Sequence, residues 1–267
     1  MPGCTLVGGR SARYTGGELA ARGLTTDLCL RCIRCFQPPQ SALGSSAVHC
    51  VVTAGPTYEP LDNVRRLTNF STGQLGSELS RFLTTCGHRV TLLIGEHATY
   101  RGELVADKVD AFSTTADLEE RLRSLSKESM DAVFHAAAVS DFKFGKVWLR
   151  TDENELIEAK SGKISTRQGT LLAELVPTSK IILHLRDWYP ATKLIGWKFE
   201  VDGDQAQVIN LARRQLTECR TDGCVANGPA YGPGFGLVTA GNQTLHAQDR
   251  SALFRALKGL LEGSAQT

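Results

Sequence analysis

The run Asn69-Phe70-Ser71-Thr72-Gly73-Gln74-Leu75-Gly76 places a carboxamide, two hydroxyls and two glycines in one short stretch. It leads into a segment in which Leu75, Leu79, Phe82, Leu83 and Cys86 recur at helical spacing, with Gly87 ending the pattern. Ser71 or Thr72 is expected to N-cap that helix, and Gly73 allows the backbone to come close to a ligand. A helix start presents unpaired N–H groups and the positive end of its dipole, so a phosphate-sized anion is the expected guest. These residue types in this order suit an enzyme that binds a phosphorylated ligand.

Two further stretches carry similar promise. In Ala136-Ala137-Ala138-Val139-Ser140-Asp141, small side chains leave room for a flat group against the backbone, and Asp141 is placed to accept hydrogen bonds from ribose hydroxyls. The same residues also fit plain spacers under a helix followed by a helix cap. In Lys160-Ser161-Gly162-Lys163-Ile164-Ser165-Thr166, a lysine beside glycine and hydroxyls can close over phosphates and neutralise charge that develops in phosphoryl transfer. A solvated loop is the alternative reading there.

The elements that must position these residues follow from periodicity. Apolar strands are expected at 48–53, 90–94, 109–112 and 132–139, with helices over 75–86 and 115–125 between them. Residues 148–175 read as extended pieces broken by Gly162 and Gly169. Alternation then returns: helix 180–186, strand 193–199, helix 204–218, strand 223–226, a Gly/Pro-rich loop 228–236, a hairpin 236–246 turning at Ala240-Gly241-Asn242, and a final helix from Ser251. Repeated strand–helix alternation predicts a Rossmann-like three-layer α/β fold, with a mostly parallel sheet and an irregular β insertion. Ligands in such sheets sit at the carboxyl ends of strands. Four ends carry polar or glycine residues directly after an apolar run: 55–76, 136–141, Trp197 to Glu200, and Ala226 to Gly228.

Composition bounds the rest. With 267 residues, 42% hydrophobic and 22% charged, the chain has ample material for a core, and a net charge of +2 argues against general binding to nucleic acid or membrane surfaces. No apolar run reaches membrane-spanning length, and a cytoplasmic enzyme is expected. Residues 1–47 differ: five arginines stand against two acids, among glycines and Pro38-Pro39. A disordered extension, a transit peptide or a misplaced start would all look this way. Cys29, Cys32 and Cys35 form a C-x-x-C-x-x-C run, but no fourth cysteine or second C-x-x-C completes a cluster or zinc site, so no metal centre is expected.

From about Val51 to about Leu261 the chain resembles the phosphopantothenoylcysteine synthetase family, the ligase step of coenzyme A biosynthesis. The motifs that carry the resemblance are Asn69 to Gly76, Ala137-Ala138-Val139-Ser140-Asp141, Lys163-Ile164 and Val225-Ala226-Asn227, in the family's order and spacing. The resemblance implies that CTP or ATP, with Mg²⁺, activates a phosphopantothenate carboxylate as an acyl-nucleotide, which the cysteine amine then attacks. It implies catalytic roles for Asn69, in handling the acyl intermediate, and for Lys163, in the nucleotidyl transfer. It also implies a nucleotide site containing Gly55, Ser71, Thr72, Gly73, Ala137, Ala138, Asp141 and Asn227, with an aromatic group from Phe199 or Trp197. The family is typically dimeric, and 148–175 is the region expected to pair across subunits. Many bacterial members carry a flavin decarboxylase domain first; the 47 unlike residues here lead to the expectation of a stand-alone synthetase.

Departures from the family pattern are Thr72 for serine, Gln74 where a cation is common, Ser165-Thr166 in place of two lysines, Gly228-Pro229 after the asparagine, and no lysine before the last helix near Arg250. Two other functions compete. A short-chain reductase would use a Tyr-x-x-x-Lys pair, here Tyr189 and Lys193, but Pro190 opposes helical geometry between them and the glycine fingerprint is absent. A non-catalytic nucleotide-binding regulator is the other.

Overall fold

Strands buried on both faces need no polar alternation, and that accounts for the continuous apolar runs at the centre of this chain. The computed structural model describes residues 47–159, 162–165 and 169–263; the expectations for the N-terminal extension and its cysteine run lie outside them. The elements are β1 (His49–Ala54), β2 (Tyr58–Pro60), β3 (Arg66–Thr68), α1 (Gln74–Thr85), β4 (Arg89–Gly95), β5 (Lys108–Phe112), α2 (Thr115–Leu125), β6 (Ala132–His135), β7 (Phe142–Arg150), β8 (Leu156–Glu158), β9 (Thr170–Pro177), α3 (Ile181–Trp188), β10 (Lys193–Phe199), α4 (Gln205–Cys219), β11 (Gly223–Asn227), β12 (Phe235–Thr239), β13 (Thr244–Ala247) and α5 (Arg250–Glu262).

The main sheet runs β13-β12-β11-β10-β6-β1-β4-β5. β5, β4, β1, β6, β10 and β11 are parallel, and β12 and β13 add an antiparallel hairpin. One face packs Leu79 and Leu83 of α1 and Leu253 and Leu257 of α5 against Val52, Phe134 and Ile195. The other packs α2 and α3 through Leu118, Leu122, Ile181 and Leu185, with α4 continuing the layer through Val208 and Ala212. This is the three-layer α/β arrangement expected from the alternation. Each of these fully buried leucines contributes about 1.5–3 kcal/mol of apolar burial. No described helix is long and apolar enough to cross a membrane.

Three local readings change. β6 stops at His135 rather than Val139, because Ala136 to Ser140 turn away to bond with the loop after β1. The extended pieces of 148–175 belong to a separate antiparallel sheet, β8-β7-β9, that begins earlier, at Phe142. A hairpin of two three-residue strands, β2 and β3, was too short to leave a periodic signal.

That hairpin positions the lysine loop. At its base, Glu59 is buried and accepts the N–H of Thr115 at the start of α2 (3.0 Å). At its tip, Asp62 accepts from Arg65 through Nε (3.0 Å) and Nη2 (2.5 Å), from the backbone of Val64 and Arg65, and from Ile164 N (3.2 Å). Arg65 Nη2 also donates to Ile164 O (2.7 Å), and Asn63 N donates to Gly162 O (3.0 Å). The segment carrying Lys163 is therefore latched to the hairpin, with Ile164 buried beneath it. The Arg65 side chain, helped by these backbone N–H groups, holds the Asp62 carboxyl well below the usual carboxylate range. A depressed carboxylate stabilises the folded form above its unfolded pKa and loses that effect only as pH falls, so the latch is closed at neutral pH.

A second buried polar group sits beneath the ends of β1 and β6. Ala137 N donates to Thr53 Oγ1 (3.0 Å), and the same hydroxyl shares a hydrogen bond with His135 Nδ1, 3.0 Å away. Burial pushes the His135 ring down to about 4 from 6.5.

Two outcomes are expected. Asp62→Asn weakens the latch, so trypsin should cleave after Lys163 roughly tenfold faster with little change in melting temperature; unchanged cleavage would show that the latch does not hold this loop. Between pH 6.5 and about 4 the unfolded chain protonates His135 and the folded chain does not. Stability is thus full above the upper value and falls by about 3 kcal/mol on the way down. His88, also lowered by burial, acts in the same direction. The drop in urea midpoint on acidification should be smaller in His135→Gln; equal drops in both proteins would rule out the assignment.

Candidate functional site

The four strand ends singled out by sequence are neighbours in the sheet, in the order β11-β10-β6-β1. From β1 the chain first adds β4 and β5 on one side, and β6 then joins on the other. The β1/β6 boundary is thus a topological switch point, where open α/β sheets place their ligands.

At that boundary two loops interlock. Ala138 N donates to Gly55 O (2.9 Å), Thr57 N to Ala138 O (3.1 Å), and Ser140 N to Thr57 Oγ1 (2.8 Å). Asn69, exposed at the end of β3, reaches across and donates from Nδ2 to Ala138 O and Val139 O, both at 3.2 Å. The carboxamide is therefore placed at the switch point, with its N–H donors engaged by carbonyls rather than turned toward a ligand. These bonds are long and solvent-exposed, and a ligand oxygen can compete for the same donors.

The next turn leads into α1. Its N-cap is Gly73, at φ 79°, rather than Ser71 or Thr72, and no side chain caps the helix. Thr72 Oγ1 accepts from Gln74 N at 3.2 Å, from just outside the helix. In contrast, Thr114, Asp204 and Asp249 cap α2, α4 and α5 with side-chain oxygens. Gly73 has a second reason to lack a side chain: a Cβ there would lie 3.0 Å from both Ala98 Cβ and Ile94 Cδ1, and 3.3 Å from Gly55 Cα. Gly76 lets α1 rest on β1, since a Cβ would meet Ala54 Cβ at 2.6 Å. The helix start is thereby pressed against the end of the central strand, with its first-turn N–H groups facing the ligand edge. Gly55, Ser71, Thr72, Gly73, Ala137 and Ala138 all meet around these two strand ends.

The remaining residues border this centre. Asp141 is exposed just past the interlocked loop, 3.7 Å from Lys180 Nζ, a weak surface pair. Phe199, 61% exposed, stands at the tip of β10 opposite Asn227 of β11. Trp197 lies two residues deeper on the same face, half-buried against the core. Trp197 Nε1 and Asn227 Oδ1 are buried without a protein partner. Lys163 is at the tip of the β2–β3 hairpin and Asn69 at its base, about 10 Å apart along a three-residue strand. Sequence reasoning missed Asp62 and Arg65, although the acid–base spacing of three residues beside Asn63 was a signal for a self-bonded turn.

The reductase pair is not assembled. Tyr189 is buried at the end of α3 and donates to Leu122 O (2.5 Å), and burial pushes its phenol up. Lys193 opens β10 instead of following on a helix face. A cavity of about 600 Å³ lies between β12, β13 and α5, lined by Leu237, Thr239, Leu245, Ala256 and Gly259. It sits toward the opposite edge of the sheet, since Thr239 pairs with Gly223 at the start of β11, and it offers no charged lining to a phosphorylated ligand.

The model of the family described as "DNA/pantothenate metabolism flavoprotein C-terminal domain" matches residues 46–258. The "Coenzyme A biosynthesis bifunctional protein CoaBC" of Thermococcus kodakarensis is 31% identical over 177 residues, 66% of this chain and 40% of its own length. The protein of that name from Bacillus subtilis is 32% identical over 192 residues, 72% of this chain and 43% of its own length. The chain thus matches less than half of these relatives. A crystal structure described as the DNA/pantothenate metabolism flavoprotein from Streptococcus pneumoniae shares the fold with a TM-score of 0.70 at 25% identity, over 82% of this chain and all of that one. With most of its length matched, from the start of β1 into α5, the chain belongs to the DNA/pantothenate metabolism flavoprotein C-terminal domain family.

Proposed function

We propose that the chain is a phosphopantothenate–cysteine ligase of coenzyme A biosynthesis, using CTP or ATP. The observation that carries this reading is the placement of Asn69 on the Ala138–Val139 turn, beside a helix start without a side-chain cap, at the switch point of the sheet. The relatives from Thermococcus kodakarensis and Bacillus subtilis are both named for coenzyme A biosynthesis.

In this reading the triphosphate lies against the first turn of α1, where backbone N–H groups and the helix dipole take its charge. The base and ribose lie across the alanines toward Asp141, Phe199 and Asn227. The substrate carboxylate attacks the α-phosphorus, the bond to the β-phosphate oxygen breaks, and pyrophosphate departs. Lys163, presented by the latched loop, offsets the charge that develops at phosphorus. The cysteine amine then attacks the acyl carbon and loses a proton, and nucleoside monophosphate leaves. Asn69 exchanges a carbonyl partner for the acyl oxygen and steadies its negative charge. Mg²⁺ is expected to arrive on the triphosphate: among the described residues no group of three or more His, Cys, Asp or Glu is gathered to hold a metal, and phosphate oxygens commonly supply much of its coordination.

A homodimer belongs to the same reading. The β8-β7-β9 sheet exposes Leu156, Ile157, Leu172 and Leu175, which a second copy would cover.

Pyrophosphate release with phosphopantothenate and cysteine, run separately with CTP and ATP, tests the activity; no release with either favours a nucleotide-binding regulator. Lys163→Gln should slow release by on the order of a hundredfold, and normal release would remove Lys163 from the chemistry. Asn69→Ala should spare the first step, slow amide formation by on the order of a hundredfold, and let acyl-nucleotide accumulate; equal loss in both steps would refute its role. Leu172→Asp should shift sedimentation to the monomer; an unchanged dimer would place the interface elsewhere.

A further inference from the structure

The turn that receives the triphosphate contains no charged side chain: from Asn69 to Ser77 every residue is neutral, with Gln74 at the first helical position. A helix terminus supplies only about half a unit of positive charge, too little for a nucleoside triphosphate alone. Beside Mg²⁺ and Lys163, a cation next to this turn would add to that charge, and the geometry shows one brought from the far end of the chain. β13 runs parallel to β11, so α5, which follows it, begins at the same edge of the sheet as α1. Its first residue, Arg250, donates from Nη1 to Glu78 Oε1 (3.1 Å) and Oε2 (3.0 Å), across 172 residues of sequence. Glu78 Oε1 also accepts from Gln74 Nε2 (2.7 Å), and Gln74 N in turn bonds Thr72 Oγ1. The guanidinium thus rests about one helical turn, roughly 6 Å, from the open N–H groups of α1.

We propose that Arg250 is the side-chain cation of the triphosphate subsite, held ready by Glu78 and passed to the terminal phosphates when nucleotide docks on α1. This rests on the ligase reading and adds to it the residue that binds the leaving pyrophosphate. Three features support it. Arg250 is 44% exposed, so an incoming anion can reach it, while Glu78 is 25% exposed. Both contacts with Glu78 use Nη1, which leaves the rest of the planar fork for phosphate oxygens. Glu78, which would otherwise repel the triphosphate, keeps its bond to Gln74 when Arg250 turns away. The cation absent from the turn at Gln74 is then supplied by the first residue of the last helix.

Calorimetric titration of the full chain with inorganic tripolyphosphate tests this without requiring turnover. Arg250→Ala should weaken binding by on the order of tenfold to a hundredfold, Arg250→Lys by less, and Glu78→Gln should strengthen it a few-fold. Binding of CMP or AMP, which lack the terminal phosphates, should be unchanged in all three. In turnover assays Arg250→Ala should raise the nucleotide KM by about the same factor. A purely structural tie between α1 and α5 would instead lower the melting temperature similarly in Arg250→Ala and Glu78→Gln without separating tripolyphosphate from monophosphate. Wild-type affinity for tripolyphosphate in Arg250→Ala, or none in the wild type, would overturn the proposal. Absence of pyrophosphate release with Arg250-dependent tripolyphosphate binding intact would overturn the ligase reading alone.

Discussion

Two backbone segments that leave neighbouring strands are bound to each other at the β1/β6 boundary, and the rest of the site takes its position from that contact. Ala138 N bonds Gly55 O, Thr57 N bonds Ala138 O, Ser140 N bonds the Thr57 hydroxyl, and Asn69 adds its carboxamide to Ala138 O and Val139 O. An unpaired buried group in this place would cost about 1–3 kcal/mol, so the loops are held together rather than merely adjacent. Thr53 and the neutral His135 support the turn from below.

The β2–β3 hairpin extends this order outward. Glu59 anchors it to α2, and the Asp62–Arg65 pair at its tip fastens the Lys163 segment. A loop for which sequence alone leaves a solvated reading open is thus part of the scaffold, because one carboxylate and one guanidinium satisfy both their own turn and the backbone of a distant segment. Fixing a lysine this way lowers the entropy lost when it meets a ligand.

Charge is distributed along the same lines. In the proposed reading the turn that receives the phosphates is neutral and offers backbone donors, whereas the cations assigned to it, Lys163 and Arg250, stand on elements far away in sequence. α2, α4 and α5 have a first-turn N–H satisfied by the side chain of the N-cap residue; in α1 the N-cap is a glycine, and only Gln74 N finds a side-chain oxygen, that of Thr72.

Much of this was legible in the residues themselves. The continuous apolar runs of β1, β4 and β10, the leucines of α2 and the Asp204 start of α4 are set by burial on both faces, by 3.6-residue periodicity and by local capping, all short-range properties. The glycines and small residues at four strand ends marked strands that are neighbours in the sheet. What sequence could not decide depends on groups distant along the chain. β6 ends early because Ala138 finds partners in the loop after β1; Asn69 turns its donors to a turn about 70 residues away; and Gly73 is the cap because Gly55, Ile94 and Ala98 leave no room for a side chain. The Asp62–Ile164 and Glu78–Arg250 contacts join segments 102 and 172 residues apart. Local propensity carries no information about such partners, because they become neighbours only once the sheet has ordered its strands.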